Sequence, residues 1–288
     1  MKKINVAATV LVSMILSACG GGGGGSSTQT PPVAQVPVSL PILNINDQLT
    51  KSANADTLGF EPANMSHTSG ELQTNTGFWG VKSASAYYEN VVGTIDPNTN
   101  IANVTFNWDI TSSQTPGVVN FSNITYGLHP GSAFSTTKKL PVRVTSMGDQ
   151  VVNADVKTSC ETTCSYQTML DVFVMSSNST SNADIGTEIV ILTDRNIGPS
   201  DLTGETATIG GVTYKVVHNG FITNWNAIQY FAPIGTPINS MKINVKDFVN
   251  DALQRGWIKS TDYLVSIELG TEVIQGKGKT EIKNLHFN

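Results

Sequence analysis

The sequence predicts an all-β sandwich or barrel with a single helix packed on its outside. Three observations carry that expectation. Short apolar or alternating runs recur between turn signals, Thr, Ser, Asn and Gly take the places that Lys and Glu fill in a helical cytosolic protein, and one segment alone has helical periodicity. Charged residues are 14% of the 288-residue chain, against about a quarter in an average globular protein. The net charge of −5 comes with no basic cluster, so the electrostatic footprint that holds nucleic acid is absent and nucleic acid is excluded as a partner.

In "MKKINVAATVLVSMILSAC", Lys2 and Lys3 precede an apolar segment from Val6 to Leu16 and small residues before Cys19. This reads as an export signal, too short to span a bilayer. "LSAC" resembles a bacterial lipobox, which implies cleavage after residue 18 and a lipid on Cys19. In the lipoproteins it resembles, a residue other than Asp after the cysteine, here Gly20, favours the outer membrane. Residues 19–45, with "GGGGGGSSTQTPPVAQVPVSLP", form a tether that is flexible at its Gly/Ser start and stiffer in its Pro-rich end. Residues 46–288 show no second low-complexity break and read as one domain. A monomer held to the envelope by its lipid alone is expected.

The β-domain elements follow in order: "NVTFNWDI", "VVNFSNITYGL", "LPVRVTS", "MLDVFVMS", "TEIVILT", "TYKVVH", "NAIQYFAP", "SMKINV", "DYLVSIELGTEV" and "KTEIKNLHF", with turns such as "DPNTN" and "TPG" between them. The helix is "NVKDFVNDALQRGW", where Val245, Phe248, Val249, Ala252 and Leu253 share a face. Asn244 caps its start, Asp247 lies in its first turn and Gly256 lies near its end. Cys160 and Cys164 flank "ETT". With no nearby His and an oxidising destination, a disulfide clipping a hairpin turn is expected rather than a metal site.

Alternation on three strands brings carboxylates to the less apolar faces. Glu188, Val190 and Leu192 oppose Ile189 and Ile191. Asp171, Met169 and Phe173 oppose Leu170, Val172 and Val174. Leu264, Ser266, Glu268, Gly270 and Glu272 oppose Val265, Ile267, Leu269 and Thr271. Gly270 leaves room for a ligand or for a neighbouring backbone. Such faces suit glycoside hydrolysis, in which retaining enzymes set two carboxyl groups about 5 to 5.5 Å apart. A third carboxyl beside the nucleophile shares a proton and tunes it. Solvent-facing strand carboxylates are the plain alternative.

The strings themselves resemble family 12 glycoside hydrolases, endoglucanases and xyloglucanases with a β-jelly roll of two stacked curved antiparallel sheets and a concave glycan cleft. "TEIVIL" is similar to the nucleophile strand E-[IL]-M-I-W, which implies Glu188 as nucleophile. "LDVFV" is similar to the strand whose aspartate supports it, here Asp171. "YLVSIELGTEVIQGKG" is similar to the last long strand, where G-x-E-x-[FW]-x-G places the acid/base on Glu272. "SNITYGLHPG", "KKLPVRVTS" and "GFWG" are similar to upstream family segments, in order from about Gly77 to Phe287. The implied activity is that of a retaining endo-β-1,4-glucanase on β-glucan or xyloglucan, without metal or organic cofactor. The alternative is a non-catalytic glycan-binding lipoprotein on the same fold.

Departures concern sugar stacking. Val190 and Leu192 replace the family's Met and Trp, Leu128 and Pro130 replace tryptophans near the histidine, and Ile274 replaces the aromatic after the acid/base. Each lost stacking face removes on the order of 1 kcal/mol of binding. Trp79 is the best remaining platform and Tyr126 a weaker one. Trp108 and Trp225 read equally as stacking groups or as large core or rim residues. His129 matches the family histidine and reads as a hydrogen-bonded structural imidazole beside substrate. Glu268 is unmatched in the family pattern, either touching substrate or solvated at the cleft rim. His67, His218 and His286 share no spacing that suggests a metal site.

Overall fold

The computed structural model describes residues 39–51, 65–77, 84–112, 117–178, 181, 185–198, 204–221 and 225–288. Cys19, the export signal, the tether up to residue 38 and Trp79 lie outside the described residues. The chain forms two stacked sheets and one helix, an open β-jelly roll. One sheet orders β1 (Leu43–Lys51), β4 (Ala84–Asp96), β5 (Ile101–Ser112), the second half of β15 (Tyr263–Phe287), β8 (Val151–Cys160) and β14 (Ser240–Asn244). The other orders β2 (Ser66–Ser69), β3 (Leu72–Asn75), β6 (Asn120–Gly127), the first half of β15, β9 (Ser165–Met175), β10 (Ile185–Arg195), β13 (Asn226–Phe231), β12 (Val212–Phe221) and β11 (Thr206–Ile209). A short β7 (Val142–Arg143) pairs with the start of β15. Pairing is antiparallel except between β10 and β13.

The long β15 therefore belongs to both layers. Its pairing with β9 ends at Gln275 and its pairing with β5 begins at Gly276. Gly276 has φ +94°, and a Cβ there would lie 2.5 Å from Cys164 Cα, so only glycine permits the crossing. Between the layers lies the core, with Val104 and Phe106 from one sheet and Leu170, Val172, Ile189, Ile191, Ile267 and Leu269 from the other. Ile189 and Ile191 are fully buried, as alternation requires, and each contributes about 2 to 3 kcal/mol by leaving water.

Four threonine hydroxyls linking the sheets satisfy one another in a closed ring: Thr158, Thr168, Thr271 and Thr280 join hydroxyl to hydroxyl at 2.8 to 3.0 Å. The helix α1 (Val245–Gln254) is capped by Asn244, whose side chain accepts from the Lys246 N–H. Its apolar face seats Phe248 edge-on against Tyr214 and Tyr230.

Several expectations change. "LPVRVTS" yields only the two-residue β7. Cys160 and Cys164 are disulfide-bonded, yet β8 and β9 belong to different sheets, so the bridge clips an inter-sheet crossing and not a hairpin. A register shift between Leu264 and Ser266 breaks strict alternation. Leu264 consequently joins the core with Ile267 instead of sharing the Glu268 face, and Val265 packs beside Phe173.

Candidate active site

Strands β6, β15, β9, β10 and β13 lie side by side, and their outward faces line a cavity of about 510 Å³. Glu188, Asp171, Glu268 and Glu272 all open onto it. Register explains the meeting. On β9, Asp171 stands opposite Glu268 of β15 and Val190 of β10, while Glu188 stands opposite Phe173, two residues along. Glu188 and Asp171 are therefore diagonal neighbours on one face, within reach of each other. Glu272 stands between Gln167 of β9 and Phe121 of β6.

Each carboxyl has distinct partners. Glu188 accepts from the Trp225 indole N–H at 2.8 Å and from the Asp171 carboxyl. Gln167 donates its amide N–H to Glu272. Glu268 Oε1 meets His129 Nδ1 at 2.7 Å and accepts from the Ser266 hydroxyl at 3.1 Å. The His129 side chain is 45% exposed and that of Glu268 only 1%, so the imidazole faces the opening and the carboxyl lies on the floor.

Burial sets the proton affinities. Desolvation, with a smaller push from the Glu188 charge, raises Glu272 to about 7, while the Gln167 hydrogen bond opposes the rise. Burial also raises Glu188, offset by the bonds from Trp225 and Asp171. Asp171 is pushed well above its ordinary value by burial and by the charges of Glu188, Glu268 and Glu272. The Asp171 carboxyl donates to Glu188, and Glu272 holds its own proton up to about 7. The cleft thus gathers several carboxyls of raised proton affinity, one of them, Glu188, oriented by hydrogen bonds.

The fate of the sequence candidates divides. Glu188, Glu272, Asp171, His129 and Glu268 meet in the cleft. Glu268 is fully buried on the floor, not solvated at the rim. Tyr126 is corrected: it is 2% exposed and stacks on Phe287 at 4.6 Å in the core, because alternation in β6 turns Phe121 to the cleft and Tyr126 inward. Trp108 is buried in a core cluster and Trp225 lines the cleft. Gly270 makes room for backbone, since a Cβ there would lie 2.3 Å from the Ser122 carbonyl oxygen. Sequence reasoning missed Gln167, although extending the Asp171 face backwards by alternation reaches it.

Residues 70–288 match the model of Glycosyl hydrolase family 12. Endoglucanase S of Pectobacterium parmentieri is 25% identical over 185 residues, 62% of this chain and 68% of that protein. Endoglucanase A of Aspergillus kawachii is 29% identical over 153 residues, 51% of this chain and 62% of that protein. Among solved structures, the family 12 xyloglucanase from Bacillus licheniformis superposes with a TM-score of 0.65 at 21% identity, covering 84% of this chain and 99% of that one. Endoglucanase 3 of Trichoderma harzianum gives 0.66 at 18% identity, covering 84% and 98%. With the family model spanning most of the chain, the protein belongs to glycosyl hydrolase family 12 and is a glycoside hydrolase acting on O-glycosyl bonds.

Proposed function

We propose that the protein is a retaining endo-β-1,4-glucanase acting on β-glucan or xyloglucan chains. Glu188 attacks the anomeric carbon and forms a glycosyl-enzyme while Glu272 protonates the leaving oxygen; Glu272 then takes a proton from the water that releases the sugar. Asp171 holds Glu188 in its attacking orientation. One observation carries the reading: Glu188 and Glu272 open onto one cleft, Glu188 accepting from the Trp225 N–H and the Asp171 carboxyl, and Glu272 raised by burial to about 7. The endoglucanase relatives and the xyloglucanase neighbour supply the substrate class. His129 and Glu268 border the bound sugar, and Trp79 serves as a stacking platform.

The lipobox-like "LSAC" supports an outer-membrane anchor through Cys19, with a monomeric catalytic domain at the end of its tether. Reducing-sugar release from carboxymethylcellulose, mixed-linkage glucan and xyloglucan tests the reading. Wild type releases sugar with retention at the anomeric carbon, seen by NMR, and Glu188→Ala and Glu272→Ala each lose at least about a thousandfold of kcat. Inversion, or near-wild-type rates in either variant, overturns it.

A further inference from the structure

The cleft floor holds one more carboxyl than a two-glutamate mechanism with a supporting aspartate requires. Glu268 lies directly opposite Asp171 in the β9–β15 ladder, where facing side chains have Cβ atoms about 5 Å apart. Its Oε1 is occupied by His129 and Ser266. Its Oε2, like Asp171 Oδ1, is buried and meets no donor among the described residues. Two adjacent carboxyls that each bury a bare acceptor oxygen repel one another, and protonating one of them relieves the repulsion. The choice falls on Asp171: Glu268 is paired with His129 at 2.7 Å, whereas Glu188 is held by the Trp225 N–H and lies only diagonal to Asp171.

We propose that the His129–Glu268 ion pair is a charge clamp on the nucleophile: Glu268 sets a fixed negative charge opposite Asp171, which keeps the proton of the Asp171–Glu188 pair on Asp171 and leaves Glu188 the carboxylate. His129 and Glu268 are then positioning residues acting through Asp171. The inference rests on Glu188 being the nucleophile. Asp171 is pushed up by burial, by the Glu188 charge and then by the Glu268 charge, whereas Glu268 is the last of the influences on Glu188; the same charge is the first cause that holds His129 above its ordinary range. The titratable groups facing Asp171 are Glu188 from β10 and Glu268 and Glu272 from β15, with His129 behind Glu268; β6 and β13 offer the cleft only uncharged side chains among the described residues.

Opposite pH shifts in two variants of the full protein test it. Glu268→Gln removes the fixed charge while preserving size. The carboxyl pair then ionises at lower pH, so the acid limb of kcat/KM moves down by about one pH unit; the proton shifts in part to Glu188, so the plateau falls by about tenfold. His129→Gln leaves the Glu268 charge uncompensated, and the acid limb moves up by about one pH unit. The double variant behaves like Glu268→Gln, because no charge remains for His129 to balance. A merely structural pair instead lowers Tm in both variants without moving the limbs; unmoved limbs, or limbs moving in the same direction, overturn the clamp. If Glu268→Gln does not fold, the upward shift in His129→Gln decides alone. Glu188→Ala assayed in parallel separates the two ideas: near-wild-type activity there sinks the nucleophile reading, while its inactivity combined with unmoved limbs sinks only the clamp.

Discussion

The Trp225 indole N–H donates to Glu188 Oε2 across 2.8 Å, and the ring that carries it lines the cleft. A hydrogen bond to a charged acceptor is worth about 1.5 to 3 kcal/mol, and this one favours the ionised form of Glu188 against its burial. Trp225→Phe keeps an aromatic ring, though a smaller one, and deletes the donor. Its kcat/KM falls by about tenfold or more and its acid limb moves up by about one pH unit. A pH–rate series checks both effects, and an unmoved limb would show that the bond does not tune Glu188.

Glu272 holds its proton up to about 7. Since kcat/KM reports groups of the free enzyme, the proposed role of Glu272 as the acid predicts that activity declines above that pH. Gln167 donates to the ionised form of Glu272 and lowers its proton affinity. Gln167→Leu therefore moves the alkaline limb to higher pH, and a downward shift would contradict the assignment.

Gly270 tests the packing beneath the site. A methyl group there meets the Ser122 carbonyl oxygen at 2.3 Å and Asn123 Cβ at 2.7 Å. Gly270→Ala must push β6 away from β15, and it costs about 1 to 3 kcal/mol, read as a lower Tm and urea midpoint. Gly148→Ala, with nothing within 4 Å, is the matched control and leaves both unchanged.

Glu89 is buried between the sheets, accepting from Asn120 at 3.1 Å and from Ser122. Burial raises it from 4.5 to about 8. The folded state thus binds the proton more tightly than the unfolded chain does. The contribution is complete below the ordinary value and is lost as pH rises through about 8. Folding free energy falls by of order 4 kcal/mol between about pH 5 and pH 9 from this group. Glu89→Gln flattens that slope in urea titrations at several pH values; an unchanged slope would place the pH sensitivity elsewhere.

Local rules served well where a single element decides the outcome. Asn244 caps α1, the Ile189–Ile191 face enters the core, and alternation turns Glu188 and Asp171 the same way. They failed where a second element intervenes. Unbroken alternation puts Leu264 on the Glu268 face, but the bulge at the start of β15 reverses its side. Tyr126 looked like a sugar platform until the stacking partner Phe287, far along the chain, showed its face to be core. Gln167 gave no motif of its own, because its role comes from standing opposite Glu272.

By itself the sequence determined the all-β class, the capped helix, the cysteine pair, and the strands that carry Glu188, Asp171 and Glu272, because period and spacing are properties of neighbours along the chain. Only the tertiary structure decided that these carboxyls share a cleft with Glu268, that Trp225 holds Glu188, and that the disulfide joins two sheets. Strand register fixes those contacts between residues distant in sequence, and the burial it creates raises the proton affinities of the carboxyls it gathers.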